Sequence, residues 1–87
     1  MPAPVTVYRT TSCPYCTAAK RLLEQRKIAY DEVFLDQDPA QMADLKERYD
    51  WRTVPMVFVG THFVGGYTDL KQLDASGELA KLLAAQQ

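Results

Sequence analysis

Cys13 and Cys16 are the only thiols in this chain of 87 residues, and they share one motif, Cys13-Pro14-Tyr15-Cys16. The motif stands where an apolar strand hands over to a helix, and that setting gives the spacing a redox meaning. With Cys13 at the helix N-cap, its sulfur lies near the unpaired amides of the first turn and the positive end of the dipole. Both favour thiolate over thiol, and thiolate is the nucleophile. Cys16 is one turn deeper on the same side, close enough to close a disulfide and less open to an incoming substrate. The expected chemistry is attack by Cys13 on a disulfide, a mixed-disulfide intermediate, and resolution by a second thiol. A structural zinc site would need about four ligands. Besides the two cysteines the chain offers a single histidine, His62, in a different segment, so no metal is expected and His62 is read as a polar residue beside a turn.

The elements that must position this pair can be read from residue types and periodicity. Val5-Thr6-Val7-Tyr8 is β-branched and aromatic and predicts a first strand. After the polar Thr10-Thr11-Ser12, Pro14 suits a first helical position, where its missing N–H costs nothing. Tyr15, Ala18, Ala19, Leu22 and Leu23 then form one apolar stripe at helical spacing. Arg26 and Lys27 are expected in the last turn, facing the negative end of the dipole. A second strand is predicted over Tyr30–Leu35. Asp38-Pro39 opens a second helix whose inner side is Met42, Leu45 and Tyr49. Met56–Val59 and Phe63-Val64 form a hairpin about Gly60-Thr61. Thr68 is expected to cap a short helix through about Leu73, and Ser76 a last one with Leu79, Leu82 and Leu83 inward. The order is βαβαββα with the last helix split, in one α/β domain over residues 1–87. The first two strands, joined by a right-handed crossover, are parallel. The hairpin completes a four-stranded mixed sheet with helices on both faces.

Composition sets the outer limits. Hydrophobic residues make up 47% and charged residues 24%, which fits a soluble globular domain and argues against disorder. The net charge of −1 leaves no basic excess for phosphates, so nucleic acid is not an expected partner. No apolar run is long enough to span a membrane, and the start, Met1–Val5, lacks the pattern of a secretory signal. The expected compartment is the cytoplasm, where paired thiols are reduced, metal-bound or catalytic rather than structural staples.

Cys13-Pro14-Tyr15-Cys16 resembles the active-site sequence of dithiol glutaredoxins; thioredoxins usually carry Gly-Pro between the cysteines. Thr53-Val54-Pro55 and Gly65-Gly66-Tyr67-Thr68-Asp69 are similar to two further segments of that family, in the same order and spacing. The resemblance runs from about Val5 to Leu83 and implies the thioredoxin fold. It also implies a glutathione-dependent oxidoreductase that reduces protein–glutathione mixed disulfides and protein disulfides, with Cys13 as nucleophile and Cys16 as resolving thiol. Glutathione would be held by Cys13, Tyr15, Arg52, Thr53, Val54, Pro55, Gly66, Tyr67, Thr68 and Asp69. In the family the proline matching Pro55 is cis, and the backbone of the residue matching Val54 pairs with the cysteinyl part of glutathione like an added strand. The amides of Thr68 and Asp69 would receive the γ-glutamyl carboxylate, and Asp69 its ammonium.

One position departs from the pattern. Glutaredoxins often carry a lysine three residues before the first cysteine, against the glycyl carboxylate of glutathione; here that residue is Thr10. Arg52, or second to it Arg9, is expected to supply the charge. Two other readings stay open: a carrier of an iron–sulfur cluster ligated by Cys13 and glutathione, and a dithiol electron carrier reduced by thioredoxin reductase. A monomer is expected, with glutathionylated and disulfide-containing proteins as partners. Ribonucleotide reductase, a common family partner, is not singled out by any residue.

Overall fold

The computed structural model of the chain describes residues 4–85; Met1–Ala3, where the reading of the chain start falls, and Gln86-Gln87 lie outside them. The elements are β1 (Val5–Arg9), α1 (Pro14–Gln25), β2 (Tyr30–Phe34), α2 (Pro39–Arg48), β3 (Met56–Val59), β4 (His62–Gly65), α3 (Tyr67–Ser76) and α4 (Glu78–Ala85). The sheet order is β2-β1-β3-β4. β1 runs parallel to β2, with Val5 opposite Tyr30, and antiparallel to β3, with Val7 opposite Val57. β3 and β4 pair antiparallel through the Gly60-Thr61 turn. The predicted βαβαββα order and mixed sheet are therefore what the chain forms.

Strand alternation decides which helix covers which face. Val5, Val7, Val57 and Val59 point to one side and pack with Ala19 and Leu23 of α1, Leu70 of α3, and Leu79 and Leu83 of α4. Met56 and Phe58 point to the other side, where Leu35 and Leu45 bury with Tyr8, Val33, Met42, Tyr49 and Trp51 against them. Phe58 is the hub of an aromatic cluster there, with ring centroids 5.5 Å from Tyr8, 5.0 Å from Tyr49 and 5.1 Å from Phe63. Every residue of the central strand β3 is buried, as a strand covered on both faces requires. Among the described residues no helix is long and apolar enough to cross a membrane.

Four local expectations are corrected. Tyr15 is 65% exposed and leaves the apolar stripe of α1, whose buried line is Cys16, Ala19 and Leu23; it stands beside Tyr67 instead. Arg26 and Lys27 lie beyond the end of α1. Arg26 is its C-cap and Lys27 takes φ +58°, and the Arg26 fork instead binds Asp74 of α3 at 2.9 and 3.1 Å. Leu35 belongs not to β2 but to a short 3₁₀ turn, Leu35–Gln37, that tucks its side chain into the second core. The N-cap of α3 is Gly66 rather than Thr68, and the carboxylate of Asp69 reaches back to the Gly66 N–H at 3.0 Å. Ser76 ends α3, yet its hydroxyl accepts from the Glu78 N–H at 3.4 Å, so it still tethers the start of α4.

Candidate active site

The handover from β1 to α1 places Cys13 as the N-cap of α1. Cys13 and Cys16 are joined as a disulfide, with Cα atoms 5.2 Å apart. The Cys16 N–H points at the Cys13 sulfur from 3.1 Å, so a backbone donor and the positive helix end both face the nucleophile. That arrangement stabilises a thiolate once the disulfide is reduced. Cys16 is fully buried, whereas Cys13 is half-buried. An incoming sulfur therefore meets Cys13 first.

The loop that carries Cys13 is held from below. Arg9, the last residue of β1, is 7% exposed. Its Nη1 donates to Glu32 Oε2 at 3.0 Å, its Nε to the Thr10 carbonyl at 3.2 Å and its Nη2 to the Thr11 carbonyl at 3.5 Å. Nη2 also reaches the Thr17 hydroxyl at 3.4 Å, and that hydroxyl donates to the Cys13 carbonyl at 3.4 Å. The Phe34 ring lies under the guanidinium, 5.2 Å away. On the outer side, Asp36 accepts from the Thr11 hydroxyl at 2.6 Å and the Thr11 N–H at 3.2 Å. The Thr11 hydroxyl is the main cause that holds the Asp36 carboxyl below its ordinary value; slight desolvation opposes it, and the Thr11 N–H and the nearby Arg9 charge assist. Arg9 is thus engaged by Glu32 and three oxygens and does not line the cleft beside Cys13, so its expected role as second choice for a ligand carboxylate is not supported by its placement.

Across from Cys13 the Val54–Pro55 bond is cis, as the resemblance implied. The Val54 carbonyl oxygen lies 3.7 Å from the Cys13 sulfur. Val54 precedes the first β3 residue, so its backbone stands outside the sheet ladder. A cleft of about 220 Å³ opens here, lined by Tyr15, Trp51, Thr53, Val54, Pro55, Gly66, Tyr67, Thr68 and Asp69. The cleft thus gathers residues from all three motifs, Tyr15, Thr53, Val54, Pro55, Gly66, Tyr67, Thr68 and Asp69, with Cys13 adjoining through Val54. Tyr15 and Tyr67 close one side, their ring centroids 6.3 Å apart. Arg52 is exposed and does not line the cleft wall, although it adjoins Thr53.

Gly65 and Asp69 fix the floor. Gly65 has φ +121°, and a Cβ on it would fall 2.6 Å from Asp69 Oδ2. A side chain is excluded by both conformation and space. Sequence reasoning missed Trp51, whose ring comes 3.5 Å from where a Gly66 Cβ would stand and packs edge-on against Phe63 at 5.3 Å. The available signal was a large aromatic directly before Arg52-Thr53-Val54-Pro55. Among the described residues no three histidine, cysteine, aspartate or glutamate side chains form a metal-ligand cluster.

Comparison with known proteins agrees with this geometry. The glutaredoxin family profile matches residues 5–64. The chain is 39% identical to a glutaredoxin of Pseudomonas aeruginosa over 82 residues, covering 94% of this chain and 98% of that one. It is 37% identical to glutaredoxin 3 of Escherichia coli over 81 residues, covering 93% and 98%. Among solved structures, a buckwheat glutaredoxin–glutathione complex superposes with a TM-score of 0.89 at 32% identity, covering 97% of this chain and 79% of that one. With the family profile over residues 5–64 and these likenesses over nearly the whole chain, the chain belongs to the glutaredoxin family of thiol–disulfide oxidoreductases with the thioredoxin fold.

Proposed function

We propose that the protein uses glutathione to reduce protein–glutathione mixed disulfides and, with both cysteines, protein disulfides. The observation that carries this reading is the cleft beside Cys13, with the Val54 backbone 3.7 Å from the sulfur at one end and the first turn of α3 at the other. An extended γ-glutamyl-cysteinyl-glycine can pair its cysteinyl backbone with Val54 as an added strand. Its γ-glutamyl carboxylate then meets the amides of Tyr67, Thr68 and Asp69, which a helix start leaves without intrahelical partners. The superposed buckwheat protein was solved as a glutaredoxin–glutathione complex, which supports glutathione as the ligand class.

In the first step the Cys13 thiolate attacks the glutathione sulfur of a protein mixed disulfide. The protein–sulfur bond breaks, the protein thiolate leaves and takes a proton, and Cys13 is left bonded to glutathione. A second glutathione thiolate attacks that glutathione sulfur, releasing glutathione disulfide and restoring the Cys13 thiolate. In sum one free glutathione thiol is consumed, the protein thiol is released, and glutathione disulfide carries away both the added glutathione and the one that arrived on the substrate; Cys16 is not needed. For a protein disulfide, Cys13 attacks one sulfur and Cys16 then displaces the second protein thiol. This forms the Cys13–Cys16 disulfide that glutathione reduces. A cytoplasmic setting, where glutathione is kept reduced, suits this cycle.

The test is the glutathione-dependent reduction of a glutathionylated peptide by the Cys16→Ser variant. Sustained turnover is expected. A variant that is inert, beside a wild type that still reduces protein disulfides with thioredoxin reductase, would overturn the glutathione reading.

A further inference from the structure

A second depression adjoins the cleft. It lies between α1 and α3, holds about 410 Å³, and is lined by Pro14, Thr17, Ala18, Arg21, Leu22, Gln25, Tyr67, Lys71 and Asp74. Pro14 is the neighbour of Cys13, so the groove begins one residue from the nucleophile. Tyr67 lines both depressions and stands as the partition between them. The floor is apolar where Ala18 and Leu22 show half-buried faces. The charges are unbalanced. Arg21 on one helix and Lys71 on the other are exposed and enter no ion pair among the described residues. The single acid in the lining, Asp74, is held by the fork of Arg26 at 2.9, 3.1 and 2.9 Å. Lys20, next to Arg21 in sequence, leans out of the groove toward Glu32 at 3.7 Å.

We propose that this groove seats the polypeptide of the substrate and selects target cysteines followed or preceded by acidic side chains. The inference rests on the reading that Cys13 attacks protein mixed disulfides, and it adds where the protein half lies. With glutathione in the motif-lined cleft, the partition of Tyr67 leaves the α1/α3 groove as the lined path for the other half. Arg21 lies seven residues beyond Pro14, a rise of about 10 Å along the helix. An extended chain covers that distance in about three residues. The preferred carboxylate is therefore about three residues from the target cysteine, set between the Arg21 and Lys71 cations.

The experiment uses the full chain and three glutathionylated peptides identical except for Glu, Gln or Lys three residues to either side of the cysteine. The mixed disulfide of cysteine and glutathione, which has no polypeptide to dock, serves as the fourth substrate. For the wild type, kcat/KM should favour the Glu peptide over the Lys peptide roughly tenfold at low ionic strength, and the gap should close with salt. Arg21→Glu/Lys71→Glu should reverse the preference while leaving the small disulfide unchanged. Equal rates for the three peptides would overturn the proposal. So would a double variant whose KM for glutathione rises with the small disulfide as substrate, because the cations would then serve the second glutathione. Failure of the wild type to turn over even the small disulfide would instead strike the glutathione reading. The same peptides joined as disulfides and reduced through thioredoxin reductase would then decide the groove on the same Glu-over-Lys criterion.

Discussion

Arg9 and Glu32 form an enclosed ion pair, 3.0 Å between nitrogen and oxygen, directly beneath the loop that presents Cys13. Their side chains keep only 8% and 21% of their exposure, so the pair is little screened by solvent. Every remaining Arg9 side-chain hydrogen bond goes to the loop or to α1: the Thr10 and Thr11 carbonyls and the Thr17 hydroxyl. The charge therefore works as a strut for the N-cap geometry.

Arg9→Ala is expected to destabilise the protein by about 2–4 kcal/mol, because it leaves Glu32 only the longer Lys20 contact at 3.7 Å and frees two carbonyls. Arg9→Lys should recover little, since an ammonium cannot reproduce the fork. Arg9→Met/Glu32→Leu should recover most of the stability, yet not the alkylation rate of Cys13 in a Cys16→Ser background. Urea unfolding and iodoacetamide kinetics measure the two separately. Full recovery of both by the apolar pair would show that the strut does not position the nucleophile.

Gly65 and Asp69 form the second constraint on the site. Gly65→Ala places a Cβ 2.6 Å from Asp69 Oδ2 at φ +121°, and a loss of at least about 2 kcal/mol is expected. Asp69→Ala should cost about 1 kcal/mol, as the Gly66 N–H loses its acceptor, and should raise the KM for glutathione several-fold. The double variant keeps the backbone strain and a tight 3.2 Å contact with the residue-69 Cβ but not the clash with the carboxylate, so its loss should fall short of the sum. Additive losses would mean that the backbone conformation alone demands glycine.

Much of this was legible in the residues. Val5, Val7, Val57 and Val59 alternate strictly, and that pattern is enough to build a sheet with two covered faces. Cys13-Pro14 announces a helix start because N-cap chemistry and the proline act locally. What escaped the sequence depends on distant partners. The end of α1 was misplaced because Arg26 is drawn to Asp74, 48 residues on. The N-cap of α3 was misplaced because the Asp69 carboxylate, rather than a Thr68 hydroxyl, satisfies the first amide. Trp51 went unread because an aromatic before a strand is as easily core as cleft, and here it is both. Arg9 was read as a second candidate cation for a ligand because a lone arginine carries no sign of a glutamate 23 residues away.

The Thr11–Asp36 tether should show in acid. Asp36 has a lowered pKa in the folded chain, so its contribution to stability is present above its unfolded value and is lost as pH falls through the folded one. Asp36→Asn should remove that part of the pH dependence. Urea midpoints of wild type and variant should differ at neutral pH and converge at the acid end. Parallel curves across the whole carboxylate range would show that the tether adds nothing to folding.

On the proposed glutathione reading, Arg52 is the cation we assign to the glycyl carboxylate, because Thr10 carries no charge and Arg9 is paired with Glu32. It is exposed beside Thr53 and so reaches a ligand through solvent. An exposed pair of this kind is worth about 0.2–1 kcal/mol, so Arg52→Ala should raise the KM for glutathione by about two- to fivefold. kcat should hold, since the contact is the same in the ground and transition states. The effect should shrink in high salt. An unchanged KM would mean that the Val54 backbone and the α3 amides hold glutathione without a cation at its glycyl end, and that Thr10 marks a site built for weaker, faster exchange of the tripeptide.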